Sequence, residues 1–346
     1  MSDLRIGIIG AGIVGLNTAL EVRRVLPDAD VTILAELFND ETTSDGAAGL
    51  VEISTSFLGP SLDITRCVQF NCVLSKNHYQ DVYQSSDLHY KCVSNPYLNG
   101  ILPVFRPANQ DELKDLGAYR FATYMSTLVV TCRMYLPWAL GSFKFVYAGV
   151  FIKKTKVNSL YDIEDDYDIV FNCTGLGARR LCEDIGVVPI RGQVVKVRAP
   201  FVQKFFMNNE NGSYIIPSMQ SGLVTLGGTQ DFGHWSQSTS EYNTHSIFDR
   251  CRDMMPTLES ATVEWHWVGL RPYRHQVRTE LEKIGNLLVS RKASCMQVVH
   301  NYGYGGYGIA TSPGTAKYVV NMLQNLLKSH PSKSIKEIIS QVPLNN

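Results

Sequence analysis

The sequence has no excess charge of either sign: 32 Lys and Arg balance 32 Asp and Glu, so the formal net charge is zero. Nucleic acid and anionic membrane surfaces call for a basic surplus, and none exists here. No stretch of about 18 apolar residues occurs, so no membrane-spanning helix is expected. The eight cysteines (Cys67, Cys72, Cys92, Cys132, Cys173, Cys182, Cys251 and Cys295) form no CxxC and no metal-like pairing with histidine. They read as reduced thiols of an intracellular protein without a metal centre. The first apolar run starts at residue 5, which leaves no room for a signal or transit peptide. The chain ends Val342-Pro343-Leu344-Asn345-Asn346, unlike the Ser-Lys-Leu type of peroxisomal address, so a cytoplasmic protein is expected. What the chain does have is 346 residues at 45% hydrophobic, enough for a large core shared by two interleaved domains.

Residues 5–36 carry the first chemical signal. Arg5-Ile6-Gly7-Ile8-Ile9 is a short β-branched run and reads as a buried strand. Gly10-Ala11-Gly12-Ile13-Val14-Gly15 follows, and Leu16, Ala19, Leu20 and Val22 continue at helical spacing until Pro27-Asp28. In such a unit the first glycine makes the tight turn, the second admits a pyrophosphate, and the third lets helix pack on strand. The pyrophosphate sits on the helix N-terminus, whose free N–H groups and dipole favour negative charge. After Val31-Thr32-Ile33-Leu34, Glu36 stands 21 residues beyond Gly15, where a carboxylate accepts from a ribose hydroxyl. A dinucleotide is implied, and this unit leaves NAD and FAD both open.

Thr42-Thr43-Ser44-Asp45-Gly46-Ala47-Ala48-Gly49-Leu50 comes next. Its hydroxyls can donate to phosphate oxygens and its glycines let backbone lie against a flat ring, though the same composition also suits an ordinary turn. Residues 51–84 show only partial helical spacing, at Ile64, Val68 and Val73-Leu74, and His78 with Tyr79 reads as a surface cap. Turns are expected at Asn95-Pro96, Asn99-Gly100 and Arg106-Pro107, and a short helix from Asn109. Tyr135-Leu136-Pro137-Trp138 starts or kinks a helix, and Lys156-Val157 reads as strand. Asn172-Cys173-Thr174-Gly175 then repeats the opening logic of a buried run ending in a small-residue turn, so the nucleotide domain is expected to be discontinuous. Val194-Val195-Lys196-Val197-Arg198 alternates like a half-exposed strand. Residues 214–217 and 223–229 read as an antiparallel pair, and 262–272 as a further strand of a mostly β domain.

A second glycine cluster, His300-Asn301-Tyr302-Gly303-Tyr304-Gly305-Gly306-Tyr307-Gly308-Ile309, precedes an amphipathic helix that runs to about Leu327. Backbone this bare can approach a planar ligand, with a helix N-terminus aimed where negative charge would form. A nucleotide domain closed in this way suits a flavin better than a nicotinamide, because no Lys, His or Tyr-Lys pair stands where hydride-transfer enzymes keep one.

These motifs, with Arg191-Gly192-Gln193, Leu226-Gly227-Gly228-Thr229 and Gly269-Leu270-Arg271-Pro272-Tyr273-Arg274, resemble the FAD-dependent D-amino-acid oxidase and D-aspartate oxidase family nearly end to end. The Leu270-Arg271-Pro272-Tyr273-Arg274 block is closer to the D-aspartate branch, and residues 304–308 to the neutral branch. The resemblance implies an α/β plus α+β protein: a discontinuous Rossmann-like FAD-binding domain (1–50, 137–190 and 285–346) and a mostly antiparallel β substrate domain (51–136 and 191–284). It implies that FAD takes a hydride from Cα of a small D-amino acid, that water hydrolyses the imino acid, and that O2 reoxidises the flavin to give H2O2. Arg271 is expected to bind the α-carboxylate bidentately, Tyr214 to add a hydrogen bond, and the Gly306 carbonyl to receive the amine. Flavin contacts are expected from Gly10, Gly12, Ile13, Val14, Gly15, Glu36, Thr42, Thr43, Ser44, Gly49, Leu50, Val157, Thr174, Gly175, Gly305, Gly308, Ile309 and Ala310. A homo-oligomer is compatible with the family.

Two departures bear on the substrate. Gln230 stands where D-aspartate oxidases carry an arginine after Gly-Gly-Thr, and residues 208–213 hold no cation. A side-chain carboxylate buried without a cation is costly, so Arg274, His234 or Arg66 would have to serve, or the substrate is neutral or, with Glu52 facing it, basic. Ala310 replaces a hydroxyl common near the flavin pyrimidine. Glu52 and Ala310 together also leave open a flavin-binding protein without oxidase activity.

Overall fold

The computed structural model describes residues 4–52, 81–84, 102–114, 122–145, 150–218, 221–284 and 296–328. The expected helical spacing at Ile64 to Leu74, the cap at His78 and Tyr79, the turns at Asn95-Pro96 and Asn99-Gly100, Arg66, and Cys67, Cys72, Cys92 and Cys295 lie outside the described residues.

In chain order the strands are β1 (Arg5–Ile9), β2 (Asp30–Ala35), β3 (Asp81–Gln84), β4 (Val104–Pro107), β5 (Ala122–Ser126), β6 (Val150–Lys154), β7 (Ile169–Asn172) and β8 (Val188–Arg198). They continue with β9 (Phe205–Asn208), β10 (Ser213–Ser218), β11 (Leu223–Gly227), β12 (Asp231–Phe232), β13 (Thr262–Arg278), β14 (Leu281–Ile284), β15 (Met296–His300) and β16 (Tyr302–Tyr304). The helices are α1 (Ile13–Val25), α2 (Gln110–Lys114), α3 (Cys132–Phe145), α4 (Ala178–Leu181), α5 (Glu241–Met254) and α6 (Gly308–Lys328).

Two sheets form. One has the order β14-β15-β7-β1-β2-β6, parallel except where β14 meets β15. The other runs β16-β13-β8-β11-β10-β9-β3-β5-β4 with β12 beside β8, antiparallel except between β3 and β9. The expected fold class, a Rossmann-like α/β sheet joined to a mostly antiparallel one, is what forms.

The parallel sheet is apolar on both faces because both are covered. Ile6, Ile8, Val31, Ile33 and Phe171 pack on one side with Leu16 and Ala19 of α1, Leu136 of α3 and Val319 and Leu323 of α6. Ile9, Leu34, Val170 and Val298 pack on the other with Leu160 and Ile163. Each such side chain contributes roughly 1.5–3 kcal/mol on burial, which outweighs the modest helix propensity of these segments.

Three local readings are corrected. Arg106-Pro107 is not a turn: both residues belong to β4 and pair with β5, Arg106 opposite Tyr124 and Pro107 opposite Thr123. Residues Lys156 and Val157 are not strand: β6 ends at Lys154, Thr155 N–H donates to Ala35 O at 2.8 Å, and Val157 packs beneath the sheet near Leu160. In the segment 194–198, residues 194–197 are buried and Arg198 alone is exposed. Strand β8 is central, Val195 and Val197 pack under Ile247 and Cys251 of α5, and Lys196 on the opposite face is buried as well. Helix α3 starts at Cys132 and runs through Pro137.

Candidate active site

The opening glycines shape an anion-sized gap at the C-terminal edge of β1. Gly10 has φ 111°, and a Cβ there would lie 2.4 Å from Cys173 O. A Cβ on Gly15 would lie 1.9 Å from Gly10 O, so only glycine lets α1 sit this close to the turn. Gly12 caps α1 without a side-chain acceptor, and no acidic residue occupies the first turn. Ser44 Oγ takes the Ile13 N–H at 3.0 Å, which fixes the following loop against the helix start. A helix N-terminus with a glycine N-cap, reached by small residues, suits a pyrophosphate.

The other predicted cofactor residues lie after β2, β6 and β7 and around the start of α6. Glu36 is exposed at the end of β2 and pairs with Lys156 at 2.7 Å. The hydroxyls of Thr42 and Thr43 donate to the backbone, to Asn39 O at 2.6 Å and Leu270 O at 3.3 Å, while Ser44 meets α1. The loop is pinned by Asp45, buried and bound by both Nε and a terminal nitrogen of Arg133, and by Gly46, whose missing side chain admits the Trp267 ring. Gly49, at φ 83°, lies against Val130 O, and Leu50 bridges Val129.

At the end of β7, Asn172 Oδ1 accepts from Thr174 N–H and from the Thr174 hydroxyl at 2.7 Å. Gly175 follows at φ 55° against the Pro272 ring. Gly305, at φ 56°, faces Tyr273. Gly308 opens α6, Ile309 packs on the α1 core, and Ala310 joins Val14 and Val51 in one apolar cluster. Asn17 Nδ2 donates to Ser312 Oγ at 2.9 Å, tying α1 to the start of α6.

Strand β13 carries Arg271, β10 carries Tyr214, and Gly306 follows β16. Arg271 donates to Thr229 O at 3.0 Å, and its charge acts on the Tyr214 hydroxyl. Its guanidinium occupies the space over Gly192, where a Cβ would lie 2.2 Å from Nη1. The Tyr214 ring fills the space over Gly227 in the same way. A Cβ on Gly306 would stand 3.6 Å from Arg271 Cδ, so Arg271, Tyr214 and Gly306 come together. Burial pushes the Tyr214 hydroxyl up, and the charges of Arg271 and Arg250 pull it back. Tyr214 also borders an apolar group that includes Ala48, Leu50, Met207 and Ile216.

Of the cations expected to replace the missing arginines, Arg274 and His234 are described and neither joins Arg271 here. Arg274 is bound to Asp184 at 2.9 Å and to Gln276 O, while His234 and Gln230 are exposed. Glu52 is half-buried. Sequence reading passed over Arg250 on α5, which donates to Gly228 O at 3.1 Å. It also passed over Gly192 as the seat of Arg271, although Gly192 lies in a quoted motif. A helix residue far from any glycine cluster carried no signal. Among the described residues no group of three or more His, Cys, Asp and Glu could hold a metal ion, and no helix is long and apolar enough to cross a membrane.

Residues 5–322 match the family described as DAO, FAD dependent oxidoreductase. The chain is 35% identical over 332 residues to D-aspartate oxidase of Homo sapiens, covering 91% of this chain and 93% of that protein. It is 30% identical over 336 residues to D-amino acid oxidase of Dugesia ryukyuensis, with 94% and 98% covered. Among solved structures, glycine oxidase from Bacillus cereus superposes with a TM-score of 0.74 at 17% identity, covering 95% and 97% of the two chains, a likeness of fold.

Proposed function

The chain belongs to the DAO family of FAD dependent oxidoreductases, and from that premise we propose that it deaminates D-amino acids oxidatively, in the manner of a D-aspartate oxidase, to 2-oxo acids, NH3 and H2O2. The observation that carries this reading is Arg271: partly buried, bound only to neutral oxygens among the described residues, and adjacent to Tyr214 and Gly306. A guanidinium so placed has donors left for an α-carboxylate, and its planar fork fixes the orientation of what it binds. With Tyr214 as a second contact and the Gly306 carbonyl taking the amine, the substrate Cα is held in one pose, and orientation carries the rate. No side chain is assigned as general base.

FAD supplies the electron acceptor, which O2 reoxidises. Gly10, Gly12, Ile13, Val14 and Gly15 would hold its pyrophosphate and Glu36 a ribose. Thr42, Thr43, Ser44, Gly49, Leu50, Val157, Thr174, Gly175, Gly305, Gly308, Ile309 and Ala310 would line the rest. The glycine-capped start of α1, the open backbone at residues 303–308 and the positive end of α6 support that assignment.

The apolar wall of Leu50, Met207 and Ile216 beside Tyr214 favours a second reading, in which the substrate side chain is neutral. Four described cysteines without disulfides suit a reducing, cytoplasmic setting.

The test is H2O2 release by the purified protein with FAD, using D-Asp, D-Glu, D-Ala, D-Met and D-Arg beside their L-forms. Release from D- and not L-amino acids is the expected result. A yellow, FAD-loaded protein silent on all five D-forms overturns the reading.

A further inference from the structure

Arg250 is the one cation touching the backbone of the Gly227-Gly228-Thr229 turn, apart from Arg271, among the described residues. It projects from α5, whose apolar side covers β8, β10 and β11, and it reaches the ends of β10 and β11. Its Nε donates to Ser246 O at 3.1 Å, one terminal nitrogen to Asn211 O, and the other to Gly228 O at 3.1 Å. Arg271 takes the next carbonyl, Thr229 O. Consecutive peptide units thus carry two guanidinium groups, and both act on the Tyr214 hydroxyl. A Cβ on Gly228 would lie 2.8 Å from that hydroxyl, so Arg250 and Tyr214 flank the same glycine.

Neither guanidinium forms an ion pair among the described residues; every bond drawn from them ends on a neutral oxygen. By contrast, buried or half-buried arginines elsewhere do meet carboxylates: Arg191 with Asp231, Arg274 with Asp184, Arg278 with Glu282. Two positive charges bonded to consecutive carbonyl oxygens, with no carboxylate between them among the described residues, make a field that a single α-carboxylate only half neutralises. Arg250 also keeps donors to spare, since a guanidinium has five N–H bonds and three are used here.

Resting on the D-amino-acid oxidase reading, we propose that Arg250 is a specificity-determining residue that favours substrates with a second carboxylate, standing in for the arginine absent at Gln230. The field acts through charge, so lysine at the position retains part of the effect and an uncharged side chain loses it.

The holoenzyme and its Arg250→Lys and Arg250→Met variants are compared by the ratio of kcat/KM for D-Asp to that for D-Ala. Arg250→Met lowers the ratio by roughly tenfold or more, and Arg250→Lys restores part of it. An unchanged ratio in Arg250→Met overturns the proposal, because both substrates then respond alike and Arg250 only braces the turn. A second measurement needs no variant: malonate and acetate are titrated into the wild-type holoenzyme and followed by flavin absorbance. Malonate binding at least tenfold tighter, with the advantage shrinking as salt is raised, supports the proposal; equal affinities overturn it. Wild-type protein that oxidises D-Ala and not D-Asp defeats this inference alone, whereas silence on both defeats the oxidase reading beneath it.

Discussion

Lys196 shows how much one side chain can cost a fold. It stands in the middle of β8, buried, with its ammonium donating to Thr225 Oγ1 at 2.8 Å and no ion pair among the described residues. Burial pushes its pKa down from 10.5 to about 8, and neither the Asp45 carboxylate nor the nearby Cys132 offsets that. Asp45 is already committed to Arg133. The sign follows from proton binding: between pH 8 and pH 10.5 the unfolded chain holds the Lys196 proton more tightly than the folded one. Stability therefore rises with pH through that window. Below it the full penalty is present, on the order of 3 kcal/mol. Replacing Lys196 by Met removes the charge, keeps the volume, and leaves Thr225 without a donor, so part of the gain is lost. Lys196→Met should raise Tm at pH 7 by roughly 2–5 °C. The gain should shrink toward pH 10, as thermal denaturation followed by circular dichroism at several pH values would reveal. An equal or lower Tm at pH 7 would mean that the amine is stabilised by contacts these bonds do not include.

At the level of elements, the places where sequence spoke clearly are those where one residue type alone fits. Gly10 and Gly15 are legible because a turn at φ 111° and a contact with Gly10 O exclude every side chain. The antiparallel pair of β10 and β11, with Tyr214 opposite Gly227, is legible because a five-residue stretch with Ser221-Gly222 separates two β-branched runs. What the sequence hid depends on partners distant along the chain. Alternation in β8 predicts one wet face, but its second face is covered by the parts of the chain around Asp45 and Arg133, and no local pattern announces that. Val157 looks like strand because it is β-branched, yet β2 offers no further partner past Ala35. Arg250 is an ordinary charged helix position until α5 is laid across the sheet. The α1 contact yields its own prediction. Gly15→Ala puts a methyl group 1.9 Å from a carbonyl oxygen, so α1 must shift away from the turn. Overpacking of this kind costs roughly 1–3 kcal/mol. The apoprotein should melt lower, and FAD affinity, read by quenching of flavin fluorescence, should fall at least tenfold. Unchanged affinity would remove Gly15 from the cofactor site.

Across the whole molecule, the two sheets are stitched by one polar chain. His300, fully buried on β15, makes Nε2 contact with Glu282 on β14 at 2.7 Å, and its Nδ1 lies 3.2 Å from Asn172 Nδ2 on β7. The amide can only donate there, so Nδ1 is bare and Nε2 carries the proton toward the carboxylate. Glu282 also accepts from Arg278 on β13, which donates to the Tyr302 hydroxyl on β16. Tyr302 in turn donates to Asp184, which holds Arg274. Burial lowers the His300 pKa, outweighing the pull of Glu282, so the folded protein resists the proton that the unfolded histidine takes near 6.5. Stability is lost as pH falls through 6.5. Glu282 and Asp184 are also lowered, Glu282 chiefly by the hydrogen bond from His300, and Asp184 by Tyr302 and Arg274 against an opposing burial effect. Their contribution is present above the ordinary carboxylate range and disappears as pH drops through their folded values, so all three groups act in the same direction. The wild-type Tm should begin to fall below about pH 6.5 and fall further below pH 4.5. His300→Gln can still donate to Glu282 but takes no proton, so it should flatten the upper part of the curve and leave the lower part in place. Scanning calorimetry of both proteins from pH 8 to pH 4 decides the matter: a His300→Gln protein with the same slope between pH 6.5 and pH 5 would place the acid-sensitive joint elsewhere.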